Sequence, residues 1–158
     1  MQRRARHRAA SASSILDHVR EIASGENAAA RLVDLLPESA PIYAGRRTDE
    51  VDQARALIFG AFEKHGLPHA ALPFVLEELE SGGNAQTVAA AARTLRNARQ
   101  LPSQAVDLVL RAVNRFAVAD DVLEAGHDDC NGPTTVLSEL LRALARVAPC
   151  AAGGAHDT

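Results

Sequence analysis

Apolar residues recur at intervals of three and four along most of this chain, which is the spacing of one face of an α-helix. The pattern is clearest between Gly66 and Asn97. It predicts a helix from about His69 to Glu80, a turn at Ser81-Gly82-Gly83 and a second helix capped by Asn84. Both helices are apolar on one side, so this segment is predicted to form a helical hairpin.

Two further helical units are predicted before this hairpin. Residues 12–36 contain two short apolar-periodic stretches separated by a glycine, and they indicate an N-terminal hairpin. Thr48 is predicted to cap a long helix that ends at Gly66, with carboxylates in its first turn. Residues 1–11 show no periodicity and are predicted to be a flexible basic terminus.

Two more helices and a long interruption are predicted after the hairpin. One helix begins at Ser103, and beyond it the periodicity lapses over residues 117–132. We expect an acidic loop there, with room for one turn of helix near its middle. The last helix opens at Pro133 or at Thr134-Thr135 and stops before Pro149, so residues 149–158 are predicted to be a disordered tail.

The same pattern assigns side chains to faces of these helices. Charged residues are expected to face water, and this outward set includes Glu77, Glu78, Glu80, Arg93 and Arg96. The inward set of the last two helices is Val106, Val109, Leu110, Val113, Val136, Leu137, Leu140, Leu141, Leu144 and Val147. Tyr43, the single tyrosine, is expected to pack the loop before Thr48 against the N-terminal hairpin, with its hydroxyl bonded to water or backbone.

An internal repeat supports this arrangement. A shift of 34 residues brings Leu67-Pro68 onto Leu101-Pro102 and aligns the apolar positions of two successive helices. The last helix fits the same frame at a shift of 49, which makes the acidic stretch an insertion of about fifteen residues. A single irregular helical bundle is the alternative, because apolar positions at a helical period also coincide by chance.

Two short motifs resemble HEAT-repeat proteins. They are Gly-Leu-Pro-x-x-Ala-x-Pro before an apolar helix, at residues 66–73, and Ala-Ala-Ala-Arg-x-Leu at residues 90–95. The resemblance covers about residues 48–148 and implies an all-α fold, a short right-handed α-solenoid of antiparallel helix pairs. Residues 12–148 would then be a single helical-repeat domain that offers a scaffold or binding surface and carries no catalytic residues.

The composition agrees with helices and limits the function classes. The chain has 158 residues, enough for one domain, with abundant alanine, only 3% aromatics and no Trp. A net charge of −3 argues against a dedicated nucleic-acid binder. No apolar run approaches the roughly 18 residues that a membrane span needs, so no membrane association is predicted.

Cysteine and arginine usage indicates where the protein works. Cys130 and Cys150 are too few for a disulfide framework, which predicts a reduced, cytoplasmic protein. Arginine is the main base and Lys64 the only lysine, and this bias together with the alanine content indicates a GC-rich bacterial genome. Residues 1–14 are rich in Arg and Ser and free of acids, so a mitochondrial-type presequence is an alternative.

Candidate chemistry is sparse. His65 and His69 have the spacing of helical metal ligands, but Gly66 and Pro68 break the helix between them. His127-Asp128-Asp129-Cys130 holds metal-ligand types, yet adjacent residues in a loop cannot all point at one ion. The sequence therefore predicts no metal site, no cofactor and no catalytic residues.

The predicted function is a non-catalytic protein–protein interaction or scaffold module. Its partner, another protein, is expected to contact the acidic stretch at Asp120, Asp121, His127, Asp128 and Asp129. Two alternatives remain open. One is a nucleic-acid-binding repeat that uses the arginines at positions 93, 96, 99, 111 and 115; the other is an accessory domain of a larger enzyme.

Overall fold

The computed structural model describes residues 15–98, 101–117, 122–128 and 132–156, and within these ranges the chain is mostly helical. Helix α1 covers residues 15–23. The other helices are α2 (Ala28–Val33), α3 (Thr48–His65), α4 (Leu72–Ser81), α5 (Ala85–Thr94), α6 (Gln104–Phe116) and α7 (Val136–His156). Short 3-10 helices lie at Pro41–Tyr43, His69–Ala71 and Leu95–Asn97. The all-α prediction holds at this level.

The predicted hairpin is present as α4 and α5, which contact each other. Pro73 lies in the first turn of α4, where its missing N–H leaves no hydrogen bond unmade. The α5 cap is also as predicted, because the Asn84 Oδ1 accepts a hydrogen bond of 3.0 Å from the Thr87 N–H. Local turn and cap residues therefore determine this part of the fold.

Helix α3 starts one residue earlier than the capping pattern predicts. Thr48 is its first helical residue and Arg47 is the N-cap, without a side-chain capping bond. Asp49 and Glu50 lie in the first turn, and the Arg47 guanidinium reaches the Asp49 carboxylate at 2.9 Å. Gly66 ends the helix with a φ of 105°, a conformation that favours glycine, and its N–H bonds the Phe62 carbonyl at 2.8 Å.

The helices contact one another in a regular order. Helix α3 packs against α5 and α5 against α7, while α4 contacts α6 and α6 contacts α7. Helix α5 lies in the middle and is buried from Thr87 to Ala92. Its alanines allow close approach of the neighbouring helices, whereas α3 contributes the large core side chains Ile58, Phe59 and Phe62.

The N-terminal hairpin joins the same core. Ile15, Val19 and Ile22 of α1 are buried. Tyr43 is buried as predicted, and its hydroxyl donates a hydrogen bond to the Leu35 carbonyl. Burial raises the pKa of Tyr43 to about 12, partly opposed by the nearby charge of Arg55.

The acidic stretch contains a β-hairpin, so the predicted loop and turn of helix are wrong. Strand β1 (Val122–Asp128) pairs antiparallel with β2 (Gly132–Thr135), with an irregular register between Leu123 and His127. The β-branched residues at both strand ends, Val122 and Thr134-Thr135, favour extended backbone. The many acidic residues of this stretch are typical of loops, and they led to the prediction of a loop.

Helix α7 begins as predicted and ends later. The Thr135 Oγ1 accepts a bond of 3.0 Å from the Ser138 N–H, which caps the helix. The helix continues through Pro149 to His156, so the disordered tail predicted for residues 149–158 is wrong over most of its length. Pro149 removes a helical hydrogen bond and crowds the preceding turn, whereas the alanines around it are strong helix formers and favour continuation of the helix.

Two leucines predicted to be inward are exposed, Leu110 by 40% and Leu141 by 48%. The buried face of α6 is formed by Ala105, Leu108, Val109, Ala112 and Phe116, of which Val109 was predicted to be inward. The apolar stripe of α6 is wider than the surface it buries, so periodicity alone does not show which of its residues face inward. Packing against α4 and α7 determines which of them are buried. In the described part of the chain, no helix combines the length and the apolar character needed to cross a membrane.

Candidate docking groove

A buried ion pair joins α3 to α4. The Arg55 Nη1 lies 2.8 Å from the Glu78 Oε2, and both side chains are less than one-tenth exposed. The Arg55 Nε also donates to the Leu36 carbonyl at 2.9 Å, which ties the N-terminal hairpin to the pair. Glu78 does not face water as predicted, because Arg55 neutralises its charge inside the fold.

The chain packs tightly around this ion pair. The Arg55 guanidinium lies 5.8 Å from the centre of the Phe59 ring, within the range of a cation–π contact. Gly82 follows α4, and a Cβ there would lie 2.5 Å from both the backbone oxygen and the Oε1 of Glu78. Glycine is therefore required at this position by close approach.

A second buried carboxylate, Glu139, lies in the first turn of α7 and is 1% exposed. Its Oε2 contacts the Arg93 Nε at 3.2 Å and the Arg96 Nη2 at 3.3 Å. Its Oε1 accepts a hydrogen bond from the Thr134 hydroxyl at 2.9 Å and contacts the Arg142 Nη1 at 3.5 Å. Three guanidinium groups thus surround one carboxylate, and we call these residues the Glu139 cluster.

Arg93 is the member of the Glu139 cluster that differs most from its prediction. Its side chain is 18% exposed and does not lie on an open surface. Its Nη2 is buried without a hydrogen-bond partner among the described residues. Leaving such a donor unpaired costs roughly 1–3 kcal/mol, so the interior around Arg93 is not fully satisfied by this chain's own described groups.

Arg93 also lines an open groove of about 1000 Å³. The sides of the groove are α1, α3 and α5, and we call it the α1–α3–α5 groove. Its apolar lining consists of small and aliphatic side chains: Leu16, Ala23, Ala28, Ala56, Leu57, Ala61 and Ala90. A groove of this size with an apolar floor is a typical binding site.

Helix α3 presents one continuous face to the groove. The lining residues Gln53, Ala56, Leu57, Gly60, Ala61 and Lys64 follow the i, i+3, i+4, i+7 spacing of a helix face. Gly60 lies at its centre, and a Cβ placed there would meet no heavy atom within 4 Å. No contact within the described fold therefore requires glycine at this position, although a helix interior disfavours it.

The charged residues of the groove are mostly basic. Arg20, Lys64 and Arg93 line it, with Glu63 as the carboxylate among the lining residues and His65 at the end of α3. The groove therefore has a positive rim on a chain whose net charge is −3. Arg20 contacts Asp17 at 3.3 Å, but both side chains are more than half exposed, and such a pair exchanges partners at little cost.

The residues predicted to bind a partner are described only in part. Asp120, Asp121 and Asp129 are outside the described residues. His127 and Asp128 belong to β1, where their backbones pair with Pro133 and Gly132. The structure thus gives a backbone frame for two of the five residues.

The arginines considered for nucleic acid have partners within the fold. Arg93 and Arg96 contact Glu139, and Arg111 lies 3.9 Å from Glu80. Arg115 donates to three carbonyls at the end of α4, those of Leu79, Glu80 and Gly82, at 2.7–3.0 Å. Arg115 therefore caps a helix, whereas Arg99 lies outside the described residues.

Metal-ligand side chains do not gather in the described ranges. No group of three or more His, Cys, Asp or Glu residues there could hold an ion. His65 ends α3 and His69 begins the next 3-10 helix, so the two belong to different elements, as the intervening glycine and proline predict. Cys130 is outside the described residues.

Neither the groove nor the Glu139 cluster was predicted from the sequence, although the cluster left a signal there. Arg93 in the alanine-rich helix α5 and Arg96 in the 3-10 helix that follows it need a partner wherever these helices are buried. Family models, curated proteins and solved structures were compared with this chain, and none of them matches it.

Proposed function

We propose that this protein is a non-catalytic protein–protein interaction module and that a partner docks in the α1–α3–α5 groove. The observation that carries the proposal is the groove itself, an open space of about 1000 Å³ with an apolar floor and a positive rim. A contiguous apolar surface rimmed by polar groups marks an interaction site. The proposal places the protein in the cytoplasm of a bacterium, in line with its few cysteines and its arginine-rich composition.

The proposal includes a HEAT-like α-solenoid as the scaffold. Three hydrogen bonds that join side chains to backbone carbonyls support it, because each spans about one repeat length. Thr87 donates to Asp52, Asn97 to Glu63 and Arg115 to Glu80, over separations of 35, 34 and 35 residues. In a solenoid each repeat contacts the next, so contacts at one repeat length are expected.

The order of helix contacts also supports stacked pairs. Helices α4 and α5 form one pair and α6 and α7 the next, with α4 against α6 and α5 against α7. Helix α3 precedes α5 in the same series. The β-hairpin of β1 and β2 then corresponds to the insertion between the helices of the last pair.

The arginines give little support to a nucleic-acid-binding repeat. Phosphate contacts need basic side chains that are free to neutralise the backbone. Arg93 and Arg96 are engaged by a buried carboxylate, and Arg115 by helix-end carbonyls. The acidic residues around β1 remain a second candidate surface for a basic protein partner.

A pull-down with matched variants tests the proposal. Full-length wild type is compared with Gly60→Leu, which fills the groove, and with Gly83→Leu, the same change in the exposed α4–α5 turn. We expect a protein identified by mass spectrometry to be retained by wild type and Gly83→Leu and lost by Gly60→Leu. Retention by Gly60→Leu would overturn the groove as the docking site.

A third variant separates the two surfaces. Asp120, Asp121, Asp128 and Asp129 are all changed to Asn, which removes the acidic charge without touching the groove lining. The partner is expected to stay bound to this variant. If it is lost here and kept by Gly60→Leu, the acidic stretch is the docking site and the groove is not.

A further inference from the structure

We infer that the occupant of the α1–α3–α5 groove is an acidic amphipathic α-helix of another protein. The inference rests on the proposed function and specifies the partner's chemistry. Two properties of the groove carry it: the helical spacing of its walls and the sign of its charge.

The walls of the groove are three helix faces. Leu16, Arg20 and Ala23 of α1 and Gln86, Ala90 and Arg93 of α5 follow the same spacing as the α3 face between them. The side chains of a helix that packs along α3 would fit between these rows of lining side chains, as in ordinary helix–helix packing. An added helix is therefore the element whose surface this groove fits.

Small side chains at the centre favour a helix that approaches closely. Ala56, Gly60 and Ala61 are small residues along the middle of the α3 face, where Leu57 is the larger apolar one. Interaxial distances between packed helices are about 8–10 Å, and small residues at the contact allow the shorter of these distances. The matching helix therefore carries a stripe of alanine and leucine on the side that faces Gly60.

The charges that line the groove indicate which residues flank the apolar stripe of the docked helix. The stripe is bordered by Arg20 on α1 and Lys64 on α3, against the single carboxylate of Glu63 among the charged lining residues, whereas Arg93 on α5 is engaged by Glu139. Glu or Asp on both flanks of a docked helix would meet these cations, and Lys or Arg would be repelled. Complementary charge of this kind mainly determines which partner is chosen.

The chain's own N-terminal segment is the wrong kind of occupant. Residues 1–14 precede α1 and carry four arginines, at positions 3, 4, 6 and 8, with no acidic residue. The positive rim would repel this segment. An acidic partner, in contrast, would be attracted by the segment as well as by the groove.

Three labelled synthetic peptides of about 18 residues, five helical turns, test the inference. The acidic helix has an Ala/Leu stripe flanked by Glu, the basic helix has the same stripe flanked by Lys, and the third peptide scrambles the acidic one. Fluorescence anisotropy with the full chain is measured at low and at physiological salt. We expect the acidic helix to bind at least about tenfold more tightly than either other peptide.

Two variants locate the binding. Gly60→Leu and Lys64→Glu should each weaken the acidic helix by about tenfold, and Lys64→Glu should strengthen the basic helix. Gly83→Leu is the control and should bind as wild type does. Lys64 is exposed, so its variant tests charge even if the filled groove disturbs α3.

Four results would overturn the inference: equal binding of the scrambled peptide, no effect of Lys64→Glu, tighter binding after deletion of residues 1–14, or a dimer in light scattering that Gly60→Leu dissociates. The last two would mean that the groove holds the chain's own terminus or a second copy. The pull-down could instead retain a partner whose binding depends on Gly60, while the acidic peptide does not bind. That result would support docking in the groove and would contradict an acidic helix as its occupant.

Discussion

Two buried carboxylates hold this fold together, and their surroundings differ. Glu78 has one buried arginine, Arg55, whose Nε is bonded to the Leu36 carbonyl. Gly82 packs directly against the Glu78 side chain and backbone. The exposed Glu38 carboxylate also lies 3.7 Å from the Arg55 Nη1, so the charges at this site come from one arginine and two carboxylates, and the space around them is filled.

The Glu139 cluster is less complete among the described residues. Three guanidinium groups approach one carboxylate, and one nitrogen of Arg93 has no partner among the described residues. Arg93 also borders a groove whose central glycine, Gly60, faces open space, since a Cβ added there would meet no heavy atom within 4 Å. Positive charge and open space therefore occur together here.

This difference separates residues that stabilise the fold from residues that lie beside a candidate binding site. A filled cluster is complete within the fold, and its residues contribute to stability. A less complete cluster beside an open groove has capacity for a group from outside. Single substitutions at the two places should therefore have unequal or opposite effects.

The largest effect is expected from Glu139→Ala. Removing the carboxylate leaves Arg93 partly buried beside Arg96 and Arg142 without their shared counter-charge. Breaking a buried pair typically costs 3–5 kcal/mol, and we expect about 3 kcal/mol because Arg96 and Arg142 are 37% exposed. Urea denaturation followed by circular dichroism measures the loss.

The double variant Arg55→Met with Glu78→Leu tests the Arg55–Glu78 pair by removing both charges at once. Replacing both partners with apolar groups of similar volume is often neutral, so a change within about 1 kcal/mol is expected. A larger loss than for Glu139→Ala would contradict the comparison, because it would make the Arg55–Glu78 pair the greater contributor.

An effect no larger than that of Glu139→Ala is expected from Gly82→Ala. The added methyl would lie 2.5 Å from two oxygen atoms of Glu78, one of them on the backbone, so α4 must shift to accept it. We expect the free energy of unfolding to fall by about 1–3 kcal/mol. Gly83→Ala is the control and should change it by less than about 0.5 kcal/mol, since its Cβ would meet nothing within 4 Å.

Elements with local signals could be predicted from the sequence. The α4–α5 hairpin follows from its periodicity, its glycine turn and the Asn84 cap, all within a few residues of one another. The end of α3 follows from Gly66 for the same reason. The β-hairpin was missed because short strands in an acidic stretch give a weaker signal than its charges do.

The paired charges and the groove could not be predicted in the same way. Arg55 lies four residues before Phe59, on the buried face of α3, but its partner Glu78 is 23 residues away. Arg96 and Glu139 are 43 residues apart. The groove likewise depends on α1 lying beside α3 and α5, and periodicity alone does not indicate which faces meet.

The smallest effect, with the opposite sign, is expected from Gly60→Ala. Alanine is a better helix former than glycine, and the new Cβ would enter open groove without a clash. The free energy of unfolding should therefore rise by about 0.5–1 kcal/mol, measured by urea denaturation beside Gly82→Ala. A loss of stability would mean that the floor of the groove is already filled in solution, and the groove would then resemble the packed surroundings of Glu78. A gain in stability with weaker binding of the acidic helix would instead show that glycine is kept at position 60 for the approach of a partner, at the expense of the helix that carries it.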